Sequence, residues 1–190
     1  MTAGDETDAG RASPGASAAG DLVVVCGLPG VGKSTVAERV AERVDGERLR
    51  TDVVRKELFE EPSYTDAETA AVYAALLDRA RERVASGASV VLDATFADAQ
   101  LRADARGVGE SDAGSFTLVE VVCEESVVKR RIERRDGISD ADFEVHLQFK
   151  REFDEIDADH VVIDNAGTEA ETLAQVEDAF GGIGPTTGRE

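Results

Sequence analysis

The sequence predicts an α/β fold in which a parallel sheet carries helices on both faces. Three observations predict it. Short β-branched runs alternate with amphipathic helical patterns through the middle of the chain. A glycine-rich stretch, Gly27–Ser34, joins the first apolar run to the first helical pattern. The 190 residues, 42% of them apolar, match a single domain with one buried core.

The strand candidates are Leu22–Cys26, Glu47–Thr51, Ser89–Asp93, Phe116–Cys123 and His160–Asp164. Helical patterns cover 33–45, 52–60, 66–86, 98–107, 124–135, 140–157 and 169–180. In the third of these, Tyr73, Leu77, Ala80 and Val84 recur at helical spacing and mark one buried stripe. Strands separated by helices imply a parallel sheet, whose ligands bind beyond the carboxyl ends of the strands. Cys26, Thr51, Asp93, Cys123 and Asp164 therefore mark the rim of any site. Residues 1–20, rich in Gly, Ala, Ser, Thr and Asp, read as a disordered tail, and 181–190 as a flexible one. The folded domain is expected over 21–180.

Charge narrows the partners. The formal net charge is −19, from 40 acidic against 21 basic side chains, which argues against unaided nucleic-acid binding. Only four of the basic residues are Lys: Lys33, Lys56, Lys129 and Lys150. Acid-rich, Lys-poor surfaces resemble those of proteins from salt-loving organisms, so the charge reports habitat as well as partner. Cys26 and Cys123 end apolar runs and read as core thiols of a reducing cytosol. Neither a signal peptide nor a membrane-spanning run is expected, which makes the protein cytoplasmic. Two isolated His, His146 and His160, and two separated Cys make no zinc site, and His146 reads as a packed residue.

Gly27–Ser34 matches G-x-x-x-x-G-K-[ST] between a strand and a helix. Glycines let backbone N–H groups approach a phosphate, and the helix N-terminus adds partial positive charge. Gly27, Pro29, Gly30, Val31, Gly32, Lys33, Ser34 and Thr35 are thus expected to hold ATP. Lys33 would reach the β- and γ-phosphates, and the Ser34 hydroxyl would ligate Mg²⁺. Val90–Asp93 is an apolar strand ending in a carboxylate, the expected second half of the Mg²⁺ site; the other reading of Asp93 is a turn cap.

Asp52 follows the second strand, and Arg55 shares its helix face three residues on. A carboxylate there can take the proton of an acceptor hydroxyl, and the Arg can hold an acceptor's anionic group. The structural alternatives are a helix N-cap for Asp52 and a surface charge for Arg55. No guanine-reading Asn-Lys-x-Asp is present, which speaks against a signalling GTPase.

The loop Gly27–Thr35, the Asp52/Arg55 pair, Asp93–Phe96 and the stretch Arg131–Ala141 together resemble small P-loop kinases. The likeness is to predicted kinases related to polynucleotide kinase, zeta toxins and gluconate kinases. It implies the three-layer α/β/α fold of P-loop NTPases, with a five-stranded parallel sheet of order 2-3-1-4-5 and a helical lid at about 124–145. It also implies that Asp52 activates the acceptor and that Arg55 holds an acceptor phosphate in the polynucleotide branch. Within the lid helix, Arg131 and Arg135 lie roughly 60–100° from Ile132, beside the buried stripe, and can turn onto phosphates. Arg130 and Arg134 point nearly opposite. In similar kinases the loop around Gly167 passes beside adenine; a turn capped by Thr168 is the alternative.

These readings converge on an ATP- and Mg²⁺-dependent phosphotransferase for a small hydroxyl-bearing acceptor. Catalysis would rest on Lys33, Asp52, Arg131 and Arg135. A polynucleotide or nucleotide 5′-kinase and a nucleotide-gated switch with slow hydrolysis are the alternatives. The acceptor, the preference for ATP over GTP and the oligomeric state are left open by the sequence.

Overall fold

The computed structural model describes residues 18–134 and 140–182. Five strands form one sheet: β1 (Leu22–Cys26), β2 (Glu47–Arg50), β3 (Val90–Asp93), β4 (Phe116–Val122) and β5 (Val161–Asp164). All neighbours are parallel and the order is β2-β3-β1-β4-β5. The helices are α1 (Lys33–Arg43), α2 (Thr51–Leu58), α3 (Asp66–Ala85), α4 (Ala99–Asp112), α5 (Glu125–Arg134), α6 (Asp140–Glu152) and α7 (Glu169–Phe180). The expected tails at 1–17 and 183–190, and 135–139 of the expected lid, lie outside the described residues.

Strand periodicity explains the two-sided core. Along β1, Leu22, Val24 and Cys26 face one helical layer and Val23 and Val25 face the other, and all five are buried. The first layer contains α3, through Val72, Leu76, Ala80 and Val84, and α4, through Ala105 and Val108. The second contains α1, through Val36, Ala37 and Val40, and α7, through Val176 and Phe180. The stripe read from α3 is buried as expected, widened by Val72 and Leu76.

Among the boundaries that differ from the sequence reading, three bear on the site and the packing around it. Thr51 opens α2 rather than closing β2, so Arg50 takes the N-cap position and Asp52 lies in the first helical turn. Helix α4 runs to Asp112, past 107, although it contains Gly107 and Gly109. Gly109 is buried against Phe116 of β4, where a side-chain carbon would collide with the ring. Close packing there outweighs the low helix propensity of glycine. Helix α6 ends at Glu152 instead of 157, because the next segment is held by α4. The Arg102 guanidinium donates to the carbonyls of Asp154 and Glu155, each at 2.9 Å, and also to Phe96 and Ala97 at 2.7 and 2.9 Å.

Strand β1 has β3 on one side and β4 on the other, so the chain changes direction across the sheet at this point. A crevice opens at the carboxyl end of such a switch point. The loop leaving β1 is the glycine-rich stretch.

Candidate phosphotransfer site

Gly30 and Gly32 of the loop adopt backbone that other residues avoid, with φ of 84° and 95°. Gly32 is the N-cap of α1, and no side chain caps that helix end. The first N–H groups of α1 are thereby left for an anion. Lys33 folds back over the loop, its Nζ donating to the Leu28 carbonyl at 2.9 Å. Ser34 and Thr35 are exposed on the first turn.

The carboxyl end of β3 lies alongside. Asp93 is only 6% exposed, and its Oδ2 accepts no hydrogen bond among the described residues. Arg48 Nη1 and Arg50 Nε, both from β2, approach it at 3.8 Å. A buried carboxylate oxygen without a hydrogen bond is costly unless a further partner supplies charge or protons. Together with the exposed Ser34 hydroxyl, this oxygen fits a hydrated Mg²⁺, which takes few protein ligands and keeps several waters.

Burial lowers the Lys33 ammonium to about 8, with Asp93 the largest opposing influence. A polyphosphate beside Lys33 restores the charged form. Free protein binds fewer protons at Lys33 than the complex does above that value, so nucleotide binding at about pH 9 is expected to take up a proton. Calorimetry in buffers of different ionisation enthalpy reads the uptake, which disappears in Lys33→Met. Buffer-independent heats in the unmodified protein would exclude this arrangement.

Asp52 is exposed at the same rim and pairs with Arg50 at 2.8 Å. Arg55 points elsewhere. Its Nη2 donates to Thr69 Oγ1 at 3.2 Å, Glu68 lies 3.6 Å from Nη1, and the Tyr64 ring covers the guanidinium at 4.8 Å. Its Nη1 is buried without a hydrogen bond among the described residues. No hydrogen bond or ion pair joins Asp52 to Arg55 among the described residues. The two share a helix but take different partners.

On the other side of the loop, Arg131 of α5 donates to Cys123 Sγ at 3.5 Å. It lines a 190 Å³ pocket with Gly30, Gly32, Thr35 and Asn165. Arg135 lies outside the described residues. Thr168 caps α7 in a reciprocal capping box with Glu171, the alternative read for this turn, and Gly167 immediately precedes it. The same turn holds a residue that sequence reasoning missed. Asn165 donates to the Val31 carbonyl at 2.8 Å and accepts from Thr172 Oγ1 at 2.9 Å, which ties the glycine loop to α7. An Asn just past a strand that ends at the site rim was the available signal.

A second cleft, of 570 Å³, opens between α3, α6 and the segment after β3. Tyr73, Thr95, Ala97 and Phe149 line it, with the carboxylates of Asp66, Asp98, Glu152 and Asp154. No Lys or Arg does. The Thr95 carbonyl accepts from Gly27 N–H at 3.2 Å, so one wall of this cleft abuts the start of the glycine loop.

Residues 22–156 match the family model AAA_33, described as an AAA domain. The uncharacterized protein Rv2004c of Mycobacterium tuberculosis is 37% identical over 169 residues, covering 81% of this chain. The chain spans about a third of the length of that relative, 33%. Among solved structures, a sugar kinase from Janibacter sp. superposes with a TM-score of 0.69 at 18% identity, covering 90% of this chain and 99% of that one. A gluconokinase from Sinorhizobium meliloti reaches 0.64 at 22% identity, covering 87% and 97%. The Mycobacterium tuberculosis APS kinase CysC, in complex with AMPPNP and APS, reaches 0.66 at 19%, covering 85% and 97%. At these identities the likeness establishes the fold alone; the five-stranded order that the family resemblance implied is the order observed. With its glycine loop between β1 and α1, the chain belongs to the AAA_33 family of AAA domains and has the fold of the small P-loop kinases.

Proposed function

We propose that this protein is an ATP- and Mg²⁺-dependent phosphotransferase that moves the γ-phosphate to a hydroxyl group of a small molecule. One observation carries the reading. The phosphate loop with its lysine, a buried carboxylate oxygen lacking a hydrogen bond among the described residues, and an open cleft meet at the carboxyl ends of β1 and β3. A nucleotide-gated switch uses the first two of these as well but needs no acceptor cleft.

Gly27–Thr35 holds the triphosphate through backbone N–H groups, with Lys33 on the β- and γ-phosphates. Ser34 and Asp93 would hold Mg²⁺, Asp93 through water, and the ion would neutralise charge on the phosphate oxygens. The acceptor enters the cleft beside Thr95, and its hydroxyl proton passes to the Asp52 carboxylate. The new bond joins the acceptor oxygen to Pγ; the bond from Pγ to the bridging oxygen breaks, and its electron pair leaves with ADP. Arg131, with Arg135, closes on the transferring group, and the turn at Gly167 borders the nucleoside. Alignment and preorganised charge supply most of the rate gain. Among the described residues the cleft's lining holds no cation, so neutral hydroxyl compounds fit it better than the anionic acceptor that Arg55 would serve; that guanidinium is turned toward Thr69, Glu68 and Tyr64. The same lack of cations disfavours an oligonucleotide acceptor.

A phosphoryl-transfer screen tests the proposal, run in concentrated KCl because of the −19 charge. The panel comprises sugars, sugar acids, nucleosides, aminoglycosides and 5′-hydroxyl oligonucleotides. Acceptor-dependent ADP release with a phosphorylated product is the expected result. Slow ATP hydrolysis indifferent to every acceptor would overturn it in favour of a switch.

A further inference from the structure

His146, on α6, is 2% exposed, yet it is more than a packed residue. Its ring stacks on Phe143, with centroids 5.7 Å apart and planes 9° apart. Its Nδ1 lies 2.8 Å from the carbonyl oxygen of Pro29, inside the glycine loop and 117 residues away in sequence. A carbonyl only accepts, so Nδ1 carries the proton of this bond.

The consequence follows from peptide geometry. In a planar trans peptide the C=O and the following N–H point in opposite directions. Holding the Pro29 oxygen toward α6 therefore turns the Gly30 N–H away from α6. Helix α5 also packs against this part of the loop: Val128 and Ile132 would lie 2.9 and 3.3 Å from a side-chain carbon at Gly30. Helix α6 is itself anchored to α5 by the Lys150–Glu125 ion pair at 2.8 Å. Glycine at position 30, with φ of 84°, leaves this peptide unusually free to flip. In the flipped state the carbonyl oxygen would face the phosphates and repel them.

We propose that His146 is a positioning residue for nucleotide binding, which holds the Pro29–Gly30 peptide so that the Gly30 N–H faces the phosphate site. This rests on the phosphate-loop reading above and is independent of the acceptor.

Two reciprocal variants of the full chain separate this role from packing. His146→Phe keeps a ring on Phe143 and lacks the donor; His146→Asn keeps a donor and lacks the ring. With Mg²⁺ and a non-hydrolysable ATP analogue, calorimetry is expected to show His146→Phe binding about 3- to 10-fold more weakly, the weight of one hydrogen bond. His146→Asn is expected to stay within about 2-fold of the unmodified protein. A packing role gives the reverse order, and that result overturns the proposal, as does unchanged affinity in His146→Phe. Should His146→Phe fail to fold, the ¹⁵N spectrum of the histidine-labelled unmodified protein decides. A protonated Nδ1 at His146 supports the inference, and an unprotonated Nδ1 overturns it. If the unmodified protein binds no nucleotide, the phosphate-loop reading falls first and this inference with it.

Discussion

Asp52→Ala is expected to lower acceptor phosphorylation by about 10²–10⁴-fold, the usual contribution of a positioned general base, while leaving ATP binding intact. The structure makes this variant a clean one. The Asp52 side chain is 54% exposed, and its ion pair with Arg50 is half open to solvent. Exposed pairs of this kind contribute about 0–1 kcal/mol, so folding should be nearly unaffected. The substitution also leaves Asp93 in place, with Arg50 still 3.8 Å from it, so the donor side of the site persists. Product formation with an acceptor from the screen, set beside calorimetric binding of the ATP analogue, is the measurement. Transfer at an undiminished rate would remove Asp52 from the reaction; a parallel loss of ATP binding would place it on the donor side instead.

The largest structural effect is expected at Arg102, only 6% exposed. Its guanidinium donates to four backbone carbonyls, of Phe96, Ala97, Asp154 and Glu155, and lies 5.3 Å over the Phe153 ring. Arg102→Ala removes every one of these donors at once. Buried acceptors left without partners cost about 1–3 kcal/mol each, and partial hydration of the outer two brings the expected loss to roughly 3–5 kcal/mol. Domain stabilities are about 5–15 kcal/mol, so such a loss is a large fraction of the total. Arg102→Lys should recover only part of it, because one ammonium cannot reproduce a planar fork reaching four oxygens. Denaturant unfolding at constant slope measures both variants. A loss below about 1 kcal/mol for the alanine variant would show that these contacts are dispensable. Arg102 also pins the segment carrying Asp154 to the segment carrying Ala97, and both line the 570 Å³ cleft. A weakened acceptor KM is therefore expected to accompany the lost stability.

The contrast between these two residues shows how far sequence reasoning reaches. The role proposed for Asp52 was legible because it rests on position: the residue comes just after a β-branched run and just before a helical pattern, at the rim where α/β sheets bind ligands. Arg102 was not. It stands in a helical pattern among charged neighbours, where an arginine ordinarily reads as a solvated surface group. Its burial depends on a segment some fifty residues downstream folding back beneath it. Asn165 and His146 were obscure for the same reason, since their partners Val31 and Pro29 are 134 and 117 residues away. Arg55 marks an intermediate case. Helical spacing placed it on one face with Asp52, but spacing along a single helix carries no information about the α3 residues that occupy it.

By itself, the sequence determined the alternation of five strands with seven helices, the buried stripe of α3, the phosphate loop and the acidic strand end at Asp93. These features are local: periodicity, glycine placement and residue order are written in runs of fewer than about 20 residues. Tertiary structure alone decided which side chains meet. It extended α4 through two glycines because Phe116 packs against one of them, and it cut α6 short because Arg102 claims the carbonyls that follow. It also left Asp93 Oδ2 without a hydrogen bond and set His146 against the phosphate loop. Hydrogen bonds and close packing between distant segments leave no periodic trace in the chain, so only the assembled fold displays them.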